Sequence, residues 1–176
     1  MNVERKVVFV TGGARSGKSR FAQGIVEEWP GRLLYIATAE VRDEEMRQRV
    51  TLHRQDRGER WETLEEPLQL PAALAAAQTH GGALLDCLTL WTSNLLERHG
   101  EDDRAVERAL GECLTALNRF SGRLCVVTNE VGSGIVPENR LARRFRDWAG
   151  KVNQAVAATA DEAFLVVSGL PISLKP

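Results

Sequence analysis

Eight consecutive residues, Gly12-Gly13-Ala14-Arg15-Ser16-Gly17-Lys18-Ser19, carry the G-x-x-x-x-G-K-S spacing of a loop built to hold a polyphosphate. The glycines let the backbone curl so that successive N–H groups converge on phosphate oxygens, and a helix after the loop adds the positive end of its dipole. Lys18 is placed to reach the β- and γ-phosphates, and Ser19 to offer its hydroxyl to the Mg2+ that travels with the nucleotide. Arg15 adds a cation inside the loop. The apolar run Val7-Val8-Phe9-Val10 precedes the loop and a helix-like segment, Arg20 to Trp29, follows it, which is the context such a motif requires. These residues predict nucleoside triphosphate binding rather than a glycine-rich turn.

A second reactive group is His53. The segment from Asp43 to Arg57 reads as a helix, with acidic residues in its first turn and basic ones later. Val50, Arg49 and Met46 precede His53 by three, four and seven positions and Arg57 follows by four, so the histidine shares a face with two cations and an apolar strip. Nearby arginines disfavour the imidazolium. A neutral imidazole is a nucleophile toward phosphorus, and guanidinium groups can hold phosphate oxygens during attack. The same spacing also suits an ordinary surface histidine on a charged helix, and periodicity leaves both readings open. His80 and His99, beside glycines, have less to recommend them. Arg140, Arg143, Arg144 and Arg146 cluster ahead of Trp148, either as a solvated helix face or as a contact for an anionic substrate or a neighbouring subunit.

The elements that must position these groups follow from hydrophobic rhythm. β-rich apolar runs recur at Lys6 to Val10, Leu33 to Ala37, Ala83 to Leu85, Leu124 to Thr128 and Ala163 to Val167, separated by segments of helical period. That alternation predicts an α/β fold, a P-loop NTPase-like, doubly wound and mostly parallel sheet. The tail from Val166 to Leu174 reads as strand, Gly-Pro turn and strand, which predicts an antiparallel edge strand. Val106, Leu110, Leu114 and Leu117 form one helical stripe opened by Asp102 and Asp103, and Leu141, Phe145, Trp148 and Val152 form another. The alanine-rich stretch Gln69 to Gln78 reads as a surface helix.

Ligands of such sheets sit at the carboxyl ends of the strands, a rule that selects Thr38, Ala39, Asp86, Asn129 and Glu130. Asp86 has the placement of an acidic residue that holds Mg2+ through water, or alternatively of a helix N-cap. Glu130 leads into Val131-Gly132-Ser133-Gly134, whose glycines suit either a binding loop or a simple connection.

Composition narrows the class. The 176 residues fit one domain, 1–176, and the net charge of -1, from 23 basic and 24 acidic residues, lacks the overall footprint of a nucleic-acid binder. Cys87, Cys113 and Cys125 have no C-x-x-C spacing and suit reduced core thiols. The sequence shows neither a signal-peptide layout nor a membrane-length apolar run, so the expected location is cytoplasmic.

Four segments together resemble the bifunctional adenosylcobinamide kinase and adenosylcobinamide-phosphate guanylyltransferase family of cobalamin biosynthesis. They are Val10 to Arg20; Tyr35-Ile36-Ala37-Thr38 with the helix leading to His53 and Trp61; the Asp86 strand with Thr92-Ser93-Asn94-Leu95-Leu96; and Val127 to Arg143, continued by Phe145-Arg146-Asp147 and Val166-Val167-Ser168-Gly169. The resemblance implies two reactions. ATP or GTP phosphorylates the aminopropanol hydroxyl of adenosylcobinamide, and GTP then donates GMP to the resulting adenosylcobinamide phosphate through a guanylyl-histidine at His53. It implies a triphosphate loop at Gly12 to Ser19, a GTP-contacting turn at Ala37, Thr38 and Ala39, and further GTP contacts at Arg54, Gln55, Asp56, Arg57, Glu65 and Asp86. Family members carry Glu where this chain has Asp86, a shorter carboxylate that needs a water or a small shift to make the same contact. A homo-oligomer, specifically a trimer, is also implied by the resemblance. The other functions compatible with the loop are a small-molecule or nucleoside-monophosphate kinase without a covalent intermediate, and an ATPase module that drives a partner.

Overall fold

The computed structural model describes residues 4–40 and 58–175. The helix expected over Asp43 to Arg57, with His53, Arg54, Gln55, Asp56 and Arg57, lies outside the described residues. A seven-stranded sheet runs in the order β3-β2-β4-β5-β1-β6-β7, with strands β1 (Lys6–Gly12), β2 (Leu33–Ala37), β3 (Trp61–Glu65), β4 (Gly82–Asp86), β5 (Arg123–Val127), β6 (Glu162–Val167) and β7 (Leu170–Lys175). Described helices are α1 (Lys18–Glu27), α2 (Leu70–Ala77), α3 (Leu88–His99), α4 (Asp103–Arg119) and α5 (Arg140–Thr159). All neighbouring strands pair in parallel except β6 and β7, so the expected antiparallel edge strand is present.

β1 is apolar without alternation because both its faces are covered. Val7 and Phe9 join the larger core beneath α2 to α5, while Val8 and Val10 join the smaller core beneath α1, with Ala22, Val26 and Leu33. Helix α4 starts where the Asp102 carboxylate accepts from the Ala105 N–H at 3.1 Å, and it buries Val106, Leu110, Cys113 and Leu117. The Asn139 side chain caps α5 in the same way, accepting from the Ala142 N–H at 3.0 Å. Trp91, on α3, is wholly buried, and its indole N–H donates to the Leu68 carbonyl at 2.9 Å.

Three expectations need correction. Strand β3 was not foreseen: it is a short edge strand in which Glu62 and Glu65 interrupt the apolar pattern, so pairing with β2 rather than composition defines it. Helix α2 is more than a surface helix, since Leu70, Ala73, Leu74 and Ala77 are buried in the larger core. The stripe of α5 begins later than its periodicity suggests: Trp148 and Val152 are buried, whereas Leu141 is 63% exposed.

Candidate nucleotide site at the carboxyl edge of the sheet

The register brings the expected site residues into one row. Glu65 lies beside Ala37, Ala37 beside Asp86, Asp86 beside Val127, and Val127 beside Val10 at the foot of the glycine-rich loop. Strand β5 therefore stands between the loop strand and the Asp86 strand, and α1 packs across β5 and β4, on the face toward which Leu84 and hence Asp86 point.

The loop from Gly12 to Ser19 is shaped by close contacts. A side chain at Gly12 would put its Cβ 2.5 Å from the Val166 carbonyl oxygen. Gly17 takes φ 91°, a left-handed conformation that L side chains disfavour, and packs on Gly169. Arg15 also has positive φ, at 55°, the kind of backbone that functional loops retain despite its cost. The loop is propped from below, since the Gly169 N–H in the β6–β7 turn donates to the Ser16 carbonyl at 2.7 Å.

Gly13, Ala14, Arg15 and Gly17 are exposed, while Ser16 and Lys18 are buried. The Lys18 ammonium donates to the Gly13 carbonyl at 3.0 Å, folded over its own loop. Two buried hydroxyls, Thr11 Oγ1 and Ser16 Oγ, have no hydrogen-bond partner among the described residues. Buried polar atoms are rarely left so unless a ligand or water completes them.

Thr38 is wholly buried, and its hydroxyl both donates to the Cys87 carbonyl at 2.7 Å and accepts the Cys87 N–H at 2.8 Å. Its side chain thus locks the end of β2 to the Asp86-Cys87 bend, and its backbone is bonded as well, the N–H to the Asp86 carbonyl at 3.2 Å and the carbonyl to the Asn94 amide at 2.8 Å. Tyr35 Oη donates to Asp86 at 3.4 Å. Asp86 does not cap α3, whose N-cap residue is Cys87. Burial, with the Asp86 charge second, pushes the Cys87 thiol up to about 11, and the same two causes raise Cys125 further. All three cysteines are buried free thiols, and burial alone takes Cys113 to about 12.

Between the loop strand and the Asp86 strand, a partly buried polar network fixes the exit of β5. Thr89 and Thr128 hydroxyls lie 3.1 Å apart, Thr128 Oγ1 donates to Asn153 Oδ1 at 2.8 Å, and Asn153 Nδ2 donates to the Asn129 carbonyl at 3.1 Å. The Glu130 N–H then reaches the Gly12 carbonyl at 3.1 Å, while its carboxylate accepts from the Gly132 N–H.

The arginine cluster is split: Arg140 and Arg143 stay exposed, as a solvated helix face would have them, while Arg144 and Arg146 are half-buried and tie neighbouring loops together. Arg144 clasps Asp103 at 2.8 Å and the Gly100 carbonyl, Arg146 donates to the Gly132 carbonyl, and Arg143 donates to Pro137 and Glu138. Hydrogen bonds from Arg144 and then from the Trp148 indole hold the Asp103 carboxyl below the usual carboxylate range.

Among the described residues no group of three His, Cys, Asp or Glu side chains could hold a metal, and no described helix is long and apolar enough to cross a membrane. Ser19 and Asp86 are suited to a divalent ion that takes most of its ligands from phosphate and water, the habit of Mg2+. Sequence reasoning missed Thr11, Gly169 and the Asn153 network. Thr11 had a signal, its place directly before the loop; the others join positions remote in sequence.

A glycine-rich loop between a central parallel strand and its helix, an acidic strand end two strands away and an antiparallel closing strand define a P-loop nucleotide-binding α/β protein. Comparison with solved structures agrees on the fold. The KaiC-like protein PH0186 of Pyrococcus horikoshii OT3 superposes with a TM-score of 0.51 at 13% identity, over 91% of this chain and 70% of that one. Residues 8–174 match the family model described as cobinamide kinase / cobinamide phosphate guanyltransferase, and the chain belongs to that family. It is 45% identical to the bifunctional adenosylcobalamin biosynthesis protein CobU of Salmonella typhimurium, over 96% of this chain and 99% of the relative. It is 46% identical to the bifunctional adenosylcobalamin biosynthesis protein CobP of Pseudomonas aeruginosa, over 94% and 95%.

Proposed function

We propose that this protein is a cytoplasmic, homo-oligomeric enzyme that carries out both reactions of its family. In the first, the hydroxyl oxygen of adenosylcobinamide attacks the γ-phosphorus of ATP or GTP, the bond to the β-phosphate oxygen breaks, and the nucleoside diphosphate leaves. In the second, an imidazole nitrogen of His53 attacks the α-phosphorus of GTP and pyrophosphate leaves. The phosphate of adenosylcobinamide phosphate then takes the GMP, giving adenosylcobinamide-GDP and restoring the histidine. Splitting one transfer into two lets the enzyme hold activated GMP until its acceptor arrives.

The observation that carries this reading is a complete phosphate-binding loop on a chain that matches the family over residues 8–174. Catalysis in such sites is largely positioning and charge stabilisation. The loop N–H groups would cradle the phosphates, Lys18 would swing from the Gly13 carbonyl onto the β- and γ-phosphates, and Ser19 and Asp86 would hold Mg2+. When bound, Mg2+ neutralises the phosphate charge that develops during transfer. Glu65 and the Ala37 to Ala39 turn would rim the nucleotide, with Arg54, Gln55, Asp56 and Arg57 beside His53.

The test is incubation with Mg2+ and GTP labelled at the α-phosphate, followed by denaturation. Acid-labile, alkali-stable label on the protein, lost in a folded His53→Ala variant, is the expected result. GTP binding and cobinamide phosphorylation without any protein label would leave a kinase with no covalent intermediate.

A further inference from the structure

The segment from Asn129 to Asn139 leaves β5 beside the phosphate-binding loop and is held at both ends. The Asn129 N–H donates to Thr89 Oγ1 at 2.7 Å and the Glu130 N–H to the Gly12 carbonyl at 3.1 Å. Farther on, Arg146 donates to the Gly132 carbonyl at 2.7 Å, and Arg143 to the Pro137 carbonyl at 3.0 Å and the Glu138 carbonyl at 2.5 Å. Between those ties the segment presents apolar side chains to water. Ile135 is 97% exposed, Val136 61% and Leu141, in the first turn of α5, 63%.

Their position is set by the helix. Asn153 sits level with the end of β5, because its amide holds the Asn129 carbonyl. Leu141 lies twelve residues earlier on α5, so the helix rises about 18 Å from that level. Ile135, Val136 and Leu141 thus crown a wall that begins at the phosphate loop and stands well above it. The other exposed apolar strip, Leu170, Ile172 and Leu174, runs along β7 at the outer edge of the sheet, two strands from β1.

A nucleotide whose phosphates lie in the loop does not account for an apolar surface at that distance. The acceptor does. A corrinoid is a broad, methyl-rich macrocycle whose reacting hydroxyl hangs on a flexible amide-linked arm, so its ring must rest some way from the phosphorus it attacks. We propose that Ile135, Val136 and Leu141 form the shelf on which the corrin ring lies, with the arm reaching down the wall to the phosphate loop. This rests on the kinase and guanylyltransferase reading above and names its acceptor surface. Continuity of the shelf with the loop, through Glu130 and Gly12, argues for the substrate over a separate partner, and the ties on either side of Ile135 and Val136 fix where the shelf begins and ends.

The test compares the full-length wild type with an Ile135→Ser/Val136→Ser double variant and a Leu141→Ser variant. Cobinamide kinase kinetics, guanylyl labelling from GTP without corrinoid, and oligomeric state by sedimentation are measured on each. The shelf predicts a rise of tenfold or more in KM for cobinamide, with unchanged nucleotide KM, guanylyl labelling and oligomeric state; labelling also reports that the variants are folded. An unchanged cobinamide KM would overturn it. So would a changed oligomeric state, which would make the surface an interface between copies. If the wild type itself fails to phosphorylate cobinamide while still binding nucleotide, the functional reading falls first and the shelf with it.

Discussion

The two ends of the parallel sheet are built on opposite principles. At the amino edge, charges are clamped. Arg5 pairs with Asp161 at 2.8 Å, Lys6 with Glu162 at 2.7 Å, and Glu62 takes both Arg32 and His80. The His80 hydrogen bond, then the Arg32 charge, holds the Glu62 carboxyl below its usual range. Arg60 gathers the Glu27, Trp29 and Gly31 carbonyls where α1 gives way to β2, satisfying groups that a helix end leaves open. At the carboxyl edge the loop keeps two buried hydroxyls without partners, holds a non-glycine residue at positive φ, and leaves Lys18 against its own backbone. A sheet whose polar groups were satisfied equally at both ends would have nothing left to offer a phosphate. At the carboxyl edge the flanking strand ends are satisfied too, by Thr38, Thr128 and Asn153, so the unpartnered hydroxyls are confined to Thr11 and Ser16, in and beside the loop.

Substitutions at the two ends should therefore separate stability from turnover. The largest effect belongs to the carboxyl edge. Lys18→Ala removes the cation expected on the β- and γ-phosphates and should lower both activities by about 10²–10³-fold, while thermal unfolding without nucleotide stays near wild type. A large drop in melting temperature would erase the distinction between the ends.

Next comes the amino edge, where Asp161→Ala deletes the partner of Arg5 and of the Val7 N–H, the latter bonded at 2.7 Å. It should cost about 1–3 kcal/mol in urea unfolding, because Val7 is fully buried and its N–H loses its side-chain acceptor. Its kcat should remain that of wild type, and a matching loss of turnover would show that the ends are coupled. The smallest effect has the opposite sign. Thr11→Val replaces an unpartnered buried hydroxyl by a methyl group of similar shape and should leave the nucleotide-free protein unchanged or more stable by up to about 1 kcal/mol. Destabilisation in chemical unfolding would mean that Thr11 has a partner after all.

What could be read from residues alone was what is local. Gly12 to Ser19 encode their loop within one stretch of chain, so motif, strand and helix were legible together, and Asp86 followed from the rule that ligands gather at strand ends. β3 was hidden because an edge strand with two glutamates is identified by its neighbour, not by its pattern. The ties of Arg144 were hidden because its partners, Asp103 and Gly100, lie some forty residues away and meet it only through packing of α3, α4 and α5. The same holds for Asn153, whose ties to Thr128 and Asn129 span more than twenty residues of sequence. The proposed role of His53 rests on resemblance alone, since in sequence the arginines around it fit a solvated helix equally well.

The contact between the Gly169 N–H and the Ser16 carbonyl joins positions separated by nearly the whole chain. During synthesis the phosphate-binding loop leaves the ribosome well before its floor, which arrives only with the turn between β6 and β7. The same delay applies to β6, whose pairing with β1 completes the second side of the loop strand. Nucleotide is therefore a poor guide for the chain before that turn and a good reporter of the turn's arrival. A chain released before residue 169 would carry every reactive group of the loop, without the turn that holds them in register.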